Sequence, residues 1–475
     1  MIRKIFLQAT LLLCSSVAMG QISSEIALKN LEKWWGASTA YATQMPFVEP
    51  TERSVRVSSC VLSSPIMVSN KGRYIVLSEQ CEWSFDGKSF FFDGAEEVKV
   101  AETGRYLRDA YIVAVNRGVK NHQLAMPADM FFSGVVHNFS GELSDALSYA
   151  KSTTPGVLVL SQGWQSDYGA LCFSDSSAKE IIAELHRLGF VVMLSVDSYV
   201  SPDSKYFRDF RDRGFLVCSD EGKPLIEEWK NGYSAVLNLN DSLVGDFMHS
   251  KLTELQSEYG VDGFSLCEGE IAADFNYTMV KSAQGVGINK SVEQLCFSSG
   301  LSWSNLQRVV PMAISAGLLS YPYTTFDMSQ SSAQCNQELF IRALQAMVMM
   351  PVMQLCVDDF MALSDQNRAI AESVLALRAQ FAPYILELAQ QTAKTGEPIV
   401  RAMEYNYPEK GFWDCSDQFM LGTDYIVAPV LSKDNKRIVR LPRGRWVDDK
   451  GKTFKGPLVM EVNAGIDRLP YFKKK

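Results

Sequence analysis

The chain has 475 residues, of which 47% are hydrophobic and 21% charged, and its formal net charge is −8. This is the composition of an ordinary globular protein, and at about 100–200 residues per domain the length allows two to four domains or one barrel with additions. The acidic balance argues against nucleic acid or an anionic membrane as a partner, and it weakly fits a neutral substrate such as a sugar.

The N-terminus has the features of a signal peptide, which we place at residues 1–20. Arg3 and Lys4 precede a short apolar run over residues 5–17, and small residues follow near the expected cleavage point. The run is too short to cross a bilayer, and no later stretch reaches about 18 uninterrupted apolar residues. We therefore expect an exported protein, periplasmic or extracellular, without a membrane span.

The ten cysteines and four histidines do not form a metal-binding pattern. No CxxC pair occurs, and no histidine stands at metal-ligand spacing from a cysteine, so we expect no structural zinc. An exported chain can form disulfides, and Cys60 and Cys81 are candidates because they lie in neighbouring strand-like segments. The pairing of the other cysteines stays open.

Residues 22–125 have the pattern of an all-β domain. The stretch "GRYIVLSEQCEWSFDGKSFFFDG" alternates apolar and polar residues, and Asp86-Gly87 and Asp93-Gly94 are hairpin signals within it. After about residue 386 a β pattern returns in short strands joined by glycine and proline turns, which predicts a small C-terminal β-sandwich over residues 386–475.

Residues 126–385 alternate between strand and helix patterns. The apolar runs "GVLVL", "FVVMLSV", "SAVLNL" and "DGFSL" are typical of strands covered on both faces, and amphipathic helices lie between them. This alternation predicts a parallel barrel or a doubly wound sheet.

Polar residues follow these strands, at the end where a parallel barrel carries its chemistry. They are Ser161-Gln162-Gly163-Trp164, Asp197, Asn238, Cys267-Glu268, Asp327 and Asp358-Asp359. Such a ring, with Trp164 and Trp229 nearby, can stack on and hydrogen-bond a sugar. Taken singly, several of these residues are equally well explained as turn formers.

The chain resembles glycoside hydrolase family 31, the retaining α-glycosidases, over nearly its whole mature length. The matching stretches include "SNKGRYIV", "YLRDAYIVA", "LHRLGFVVMLSVDSYV", "YGVDGFSLCEGE", "GLLSYPYTTFDMSQ", "QFMLGTDYIVAPVL" and "LPRGRW". The resemblance implies the α/β class: a (β/α)8 TIM barrel flanked by an N-terminal β-sandwich and a small C-terminal β-sandwich. It also implies a carbohydrate ligand, an α-glycoside or glycan, and no metal or organic cofactor.

The family needs two carboxyl groups, which a retaining enzyme holds about 5–5.5 Å apart. Its nucleophile is an Asp in a pattern like D-G-F-K-F-D-A-G-E, and that position is Cys267 here, followed by Glu268 and Glu270. Its acid/base Asp precedes a Trp that resembles Trp303, and we place that position at Ser299, beside Ser298. Neither position carries a carboxylate.

Other positions depart from the family as well. Ser161-Gln162 replaces the Asp that the family has before Gly-Trp, Asn238 stands where the family has Asp, and Ser329-Gln330 replaces a Gly-Gly pair. The positions that match the family are Trp164, Trp229, Gly232, Glu270, Asp327 and Met328. We expect substrate contacts from Trp164, Asp197, Trp229, Asn238, Trp303 and Asp327.

Three functions follow from this pattern of matches and losses. The first is an exported, glycan-binding protein with impaired or absent α-glycosidase activity. The second is an active retaining α-glycosidase with rearranged groups, for example Glu268, a thiolate of Cys267, or an acid among Asp327, Asp358 and Asp359. The third is a non-catalytic structural or protein-binding role. The oligomeric state is open.

Overall fold

The structure is a computed structural model. It describes residues 23–51, 61–77, 82–93, 98–118, 124–229, 232–268, 275–284, 287–297, 300–327 and 336–475. Among these residues, none of the helices combines the length and the apolar character that a bilayer crossing requires.

The N-terminal part contains two antiparallel sheets and one helix. Strands β1, β6 and β5 form one sheet, and β2, β3, β4 and β7 form the other. The bounds are β1 Ser23–Ala27, β2 Trp34–Ser38, β3 Leu62–Ser69, β4 Arg73–Val76, β5 Glu82–Phe85, β6 Ser89–Asp93 and β7 Val100–Glu102, with a 3₁₀ helix at Thr39–Gln44.

Helix α1, Leu107–Gly118, corrects the expectation that residues 22–125 are all β. Its fully buried residues are Leu107, Ala110, Tyr111, Ala114 and Val115. Their spacing of three and four residues is that of one helix face, and this face packs on β3 and β4.

Eight parallel strands form the barrel, in the order β8, β9, β10, β14, β15, β16 and β17, with β18 pairing with β8 on the other side. Their bounds are β8 Val136–Ser140, β9 Val157–Gln162, β10 Val191–Val196, β14 Gly263–Glu268, β15 Tyr277–Gln284, β16 Ser291–Leu295, β17 Thr324–Phe326 and β18 Gln354–Cys356. The predicted TIM barrel is confirmed.

Helices connect most of the barrel strands, whereas β14, β15 and β16 follow one another with no helix between them in the described ranges. The bounds of the helices are α2 Met130–Ser133, α3 Leu143–Ala150, α4 Ala178–Arg187, α5 Phe207–Asp212, α6 Ser242–Tyr259, α7 Trp303–Leu318, α8 Gln337–Met347, α9 Val357–Met361 and α10 Asp365–Thr395. Helix α10 ends at Gly396 in the left-handed conformation, as its sequence predicts.

The segment "SAVLNL" does not belong to the barrel, which corrects its placement as a barrel strand. It forms β13, Gly232–Val236, between β11, Tyr199–Val200, and β12, Ile226–Trp229. All pairings in this small sheet are antiparallel. The sheet is inserted between the third and fourth barrel strands, β10 and β14, and Ala235 and Leu237 of its apolar run are buried in a core cluster that includes Leu160 of β9.

The C-terminal part is a six-stranded antiparallel sheet in the order β19, β20, β21, β24, β22, β23. The bounds are β19 Val400–Arg401, β20 Phe419–Leu421, β21 Tyr425–Val427, β22 Lys436–Asp448, β23 Thr453–Asn463 and β24 Tyr471–Lys474, with α11 at Met403–Asn406. Trp446 and Phe472 are fully buried in its core.

A strand pairing joins the N-terminal part to the barrel, and a buried arginine ties together segments of the barrel part. Strand β15 of the barrel pairs in parallel with β3 of the N-terminal part, with Ala283 opposite Leu62 and Gln284 opposite Ser63, so both belong to one 12-stranded sheet. The guanidinium of Arg378 on α10 is almost completely buried and donates to the carbonyl oxygens of Phe132, Met350 and Pro351.

Candidate functional site

One hydrogen bond identifies the inner face of the barrel. Gln294 Nε2 on β16 donates to Ser265 Oγ on β14 over 2.6 Å. Because β15 lies between these two strands, the bond crosses the barrel interior, and both side chains must point inward. In a parallel pair, residues in register share a face, and that face alternates along each strand. The pairing of residues between neighbouring strands then shows which residues of the other barrel strands point inward.

The next inward positions toward the carboxyl ends form the mouth of the barrel. By register they are Asn138, Ser161, Asp197, the backbone position of Cys267, Lys281, Cys296, Asp327 and Cys356. Asp197 and Asp327, both expected from the sequence, therefore stand in one ring. Asn138, Lys281 and Cys356 are in the same ring, although the sequence did not single them out.

Lys281 joins the two predicted carboxylates. Its Nζ lies 3.9 Å from Asp197 Oδ1 and 3.7 Å from Asp327 Oδ2, and the side chains of both Asp residues are less than a tenth exposed. A lysine inside the apolar strand "YTMVKSAQ" is unusual, since Lys is almost never buried without a partner. The charged Lys281 in this strand is the sequence feature that could have marked it as a candidate site residue.

The eighth strand adds an acidic group to the mouth. Gln354 Nε2 donates to Asp327 Oδ1 over 3.4 Å. The carboxyl group of Asp359 on α9 lies near the thiol of Cys356. Burial raises the pKa of Asp359 to about 6 and that of the Cys356 thiol to about 12. The thiol therefore stays protonated at neutral pH, whereas the carboxyl group of Asp359 loses its proton near pH 6.

Three buried acceptor atoms in this region have no hydrogen-bond partner: Asn138 Oδ1, Gln354 Oε1 and Asp359 Oδ2. The three residues are 7%, 2% and 4% exposed. Asn138 is the register partner of Cys356 across the strands that close the barrel. Helix α9, which carries Asp359, contacts β8, which carries Asn138.

The backbone places the expected catalytic strand where the sequence predicts it. Cys267 and Glu268 are the last two residues of β14, and Glu268 is in register with Ser282. Positions 265 and 267 share the inner face of the barrel and position 268 lies on the other face. The side chains of Cys267 and Glu268, and the residues Glu270, Ser298 and Ser299, lie outside the described part.

The aromatic candidates are spread over several environments. Trp164 is 1% exposed, and its indole N–H donates to the carbonyl oxygen of Ser195 over 3.1 Å. Trp303 begins α7 and is half-buried, with Lys433 Nζ 5.9 Å from the centre of its ring. Trp229 ends β12, but its side chain lies outside the described part. These substrate contacts remain predictions.

Asn238 lies in the insert, and Tyr168 lies near Asp197 of the mouth. Asn238 follows the inserted strand β13, and its backbone N–H donates to the carbonyl oxygen of Phe215. Its role as a substrate contact stays a prediction. Burial, together with the charge of Asp197, raises the pKa of Tyr168, so this phenol lies within electrostatic reach of the mouth.

The cysteines of the described part are of two kinds. Cys172, Cys218, Cys356 and Cys415 are free, and Cys296 at the mouth is in a disulfide. The candidate pair Cys60 and Cys81 lies outside the described residues. Within the described ranges, no group of three or more His, Cys, Asp or Glu side chains could hold a metal ion. The expected absence of a metal or cofactor stays a prediction.

Related proteins share both the sequence pattern and the fold. The mouse myogenesis-regulating glycosidase is 27% identical over 355 residues, which cover 64% of this chain and 49% of that protein. The chain thus spans about half the length of this relative. A Flavobacterium johnsoniae dextranase complexed with glucose aligns with a TM-score of 0.79 at 18% identity, covering 96% of this chain and 67% of that one.

A xylosidase from Aspergillus niger aligns with a TM-score of 0.81 at 15% identity, covering 95% of this chain and 79% of that one. At such low identity both structural likenesses concern the fold. The sequence profile of the glycosyl hydrolases family 31 TIM-barrel domain matches residues 148–293 and 296–388. The profile of the family 31 C-terminal domain matches residues 396–475. Because the barrel profile covers half of the chain, the chain belongs to glycosyl hydrolase family 31.

Proposed function

We propose that this family 31 protein is exported and binds glycans at the barrel mouth, with impaired or absent α-glycosidase activity. One observation carries the proposal: the inward position at the carboxyl end of β14 is Cys267, a residue that cannot supply the carboxylate of a retaining mechanism. Two carboxylates in the described part of the mouth, those of Asp197 and Asp327, lie beside the ammonium of Lys281.

The chemical reason is the charge that develops during glycoside cleavage. An oxocarbenium-like transition state forms beside the nucleophile, and removing a preorganised stabilising group there costs several kcal/mol. A general acid that protonates the leaving oxygen contributes about 10²–10⁴-fold in rate. Neither a cysteine at position 267 nor a serine at position 299 provides a carboxyl group for these two functions, so we expect little hydrolysis.

Glycan binding is supported by the groups around the mouth. Carboxylate, amide and ammonium groups converge there, and hydroxyl groups of a sugar can both donate to and accept from them. Export is supported by the N-terminal sequence pattern and by the disulfide at Cys296, since disulfides persist in oxidising compartments.

The second candidate, an active enzyme with rearranged groups, is favoured by one observation. The pKa of Asp359 is raised to about 6, which suits a general acid at mildly acidic pH. It requires a nucleophile or a base from elsewhere in the mouth, and Asp197 and Asp327 are the described carboxylates available for that role.

Turnover and binding assays on the purified protein separate these functions. We expect a panel of p-nitrophenyl α-glycosides to show little or no release of nitrophenol, while calorimetry detects binding of at least one glycan. Replacing Cys267→Asp together with Ser299→Asp should raise turnover, and each single change should do much less. Efficient hydrolysis by the unaltered protein, abolished by Asp359→Asn, would instead establish the second candidate. If neither turnover nor binding occurs, the proposal is wrong.

A further inference from the structure

Four free cysteines lie in the described part of the chain, and their surroundings differ. Cys356 and Cys415 are buried, and burial raises the pKa of each thiol to about 12, so both stay protonated and inert. Cys218 is exposed, and its thiol donates to the carbonyl oxygen of Leu216 over 3.4 Å. Cys172 is half-buried and lies beside an amine. Among these four thiols, Cys172 therefore combines access with a possible reaction partner.

The amine beside the sulfur is that of Lys205. Its Nζ lies 3.5 Å from Cys172 Sγ and 5.0 Å from the centre of the Tyr206 ring, and these two contacts hold the ammonium at the sulfur. The pKa of a second lysine, Lys251, is raised by its hydrogen bond to Glu254 and, to a smaller extent, by the charge of Cys172. Cysteines that oxidise selectively are accessible and lie beside cations, as Cys172 does.

Backbone hydrogen bonds keep the thiol in place. Cys172 belongs to the segment between β9 and α4, in which Gln165 and Phe173 form an antiparallel bridge. The backbone N–H of Ser174 donates to the carbonyl oxygen of Trp164 over 3.1 Å. Because these bonds close the segment on itself, the sulfur has a defined position opposite the amine.

The thiol and the amine belong to two different segments at the rim of the barrel mouth. Lys205 lies in the insert, between β11 and α5, whereas Cys172 follows β9. Strands β9 and β10 are parallel, so the segments that follow them lie at the same end of the barrel. The two segments are in contact there, since the N–H of Ser201 donates to the carbonyl oxygen of Tyr168 over 2.9 Å.

We propose that Cys172 and Lys205 form a site of oxidative modification, at which hydrogen peroxide joins Sγ to Nζ and ties the segment after β9 to the insert. The peroxide oxidises the thiol to a sulfenic acid and is itself reduced to water. The ammonium gives one proton to the solvent, and the amine nitrogen then attacks the sulfur. The sulfenic hydroxyl leaves as water with a second proton from the nitrogen, and an S–N bond, a sulfenamide, remains.

This inference goes beyond the proposed glycan binding and does not depend on it. Peroxide is the oxidant that the reaction requires, and a reactive thiol beside an amine suits the oxidising compartment proposed for this protein. The bond would join residues 33 positions apart in the sequence, so it would restrict the unfolded chain as a disulfide does.

Mass spectrometry of the full chain after treatment with hydrogen peroxide tests the proposal. After proteolysis without reductant we expect one linked peptide pair, whose mass is two hydrogens below the sum of the peptides that carry Cys172 and Lys205. Excess thiol should break the S–N bond and release both peptides. The linked protein should also have a Tm about 2–5 °C above that of the Cys172→Ser variant treated in the same way.

Two variants and two controls locate the reaction. Lys205→Arg keeps the positive charge but removes the amine, so it should abolish the link while Cys172 is still oxidised. Cys172→Ser should abolish both the link and the gain in Tm. Lys223→Arg changes an exposed lysine of the same insert that pairs with Glu221, and it should leave the link intact. Cys218→Ser removes the exposed free thiol and should also leave the link intact.

Three outcomes would overturn the inference. Cys172 could be oxidised to a sulfinic acid with no link to Lys205, it could stay a thiol under peroxide, or the link could persist in Lys205→Arg. In each case the contact between the two side chains has no covalent consequence. None of these results bears on glycan binding, which calorimetry measures separately.

Discussion

Lys281 Nζ lies 3.7 Å from Asp327 Oδ2, so a cation on the fifth barrel strand faces a carboxylate at the end of the seventh. The same ammonium lies 3.9 Å from Asp197, which follows the third strand. The mouth thus brings together one ammonium and two carboxylates from three separate parts of the barrel.

Replacing Lys281 should destabilise the protein because it leaves two mostly buried carboxylates without their cation. We expect Lys281→Met to lower the free energy of unfolding by about 1–3 kcal/mol, less than for a fully buried pair because the lysine is partly exposed. Urea unfolding measures the change. Lys290→Met, at an exposed position, is the control and should have little effect. Equal loss in both variants contradicts the prediction.

Arg378 should be among the most sensitive positions of the barrel. Its guanidinium donates to three carbonyl oxygens at 2.6, 2.9 and 3.0 Å, all away from water. Arg378→Met leaves these acceptors unpaired, and we expect a loss of about 3–5 kcal/mol in thermal or urea unfolding. Arg187→Met removes an exposed guanidinium paired with Glu184 and should cost under about 1 kcal/mol.

His137 should make the protein less stable in acid. Burial lowers the pKa of its imidazole to about 4, below the ordinary value of 6.5, and Nδ1 is 2.8 Å from the hydroxyl of Tyr149. In the unfolded chain the imidazole of His137 therefore takes up a proton near pH 6.5, whereas in the folded protein it does so only near pH 4. Stability is lost as the pH falls through this window.

The measurement for His137 is the unfolding free energy between pH 7 and pH 4. The variant His137→Asn should show a flatter profile, whatever its stability at pH 7. His186→Asn, which alters a histidine 2.9 Å from Asp262 on the surface, is the matched control. An unchanged slope in His137→Asn would show that other groups cause the acid sensitivity.

Glu293 should cost stability at neutral pH. It is completely buried, both carboxyl oxygens lack a partner, and burial raises its pKa well above the ordinary value of 4.5. Because the folded protein binds this proton more tightly than the unfolded chain does, protonation of Glu293 favours the folded state. This contribution to stability is complete below pH 4.5 and is lost as the pH rises through the pKa of the folded state. Glu293→Gln should therefore unfold at a higher temperature at pH 8 and show little gain at pH 4. The exposed Glu180→Gln should change neither.

Much of the fold followed from periodicity in the sequence. Apolar runs such as "GVLVL" and "FVVMLSV" are β9 and β10, and the alternation of strands and helices over residues 126–385 is that of a barrel. The first barrel strand, Val136–Ser140, was missed because His137 and Asn138 interrupt its apolar pattern. Helix α1 was missed because its neighbours are strands, although its buried residues follow helical spacing.

The mouth was harder to predict because its groups come from distant parts of the chain. Asp327 and Asp359 were both singled out by their positions after a strand, and the structure shows that Asp359 lies on helix α9. Lys281 and Asn138 became visible only when the strand register was known. The apolar composition of β13 is the same as that of a barrel strand. Hydrophobicity alone does not show that β13 pairs in antiparallel fashion within a separate sheet.

The pairing between β15 and β3 makes the N-terminal part a piece of the barrel's own scaffold. The strand that carries Lys281 is extended by backbone bonds to a strand more than two hundred positions earlier in the chain. Removing residues up to Ser69 would strip a partner from β15 and leave backbone donors and acceptors open to another molecule. A shortened barrel should therefore self-associate, and the two parts should melt in one cooperative transition.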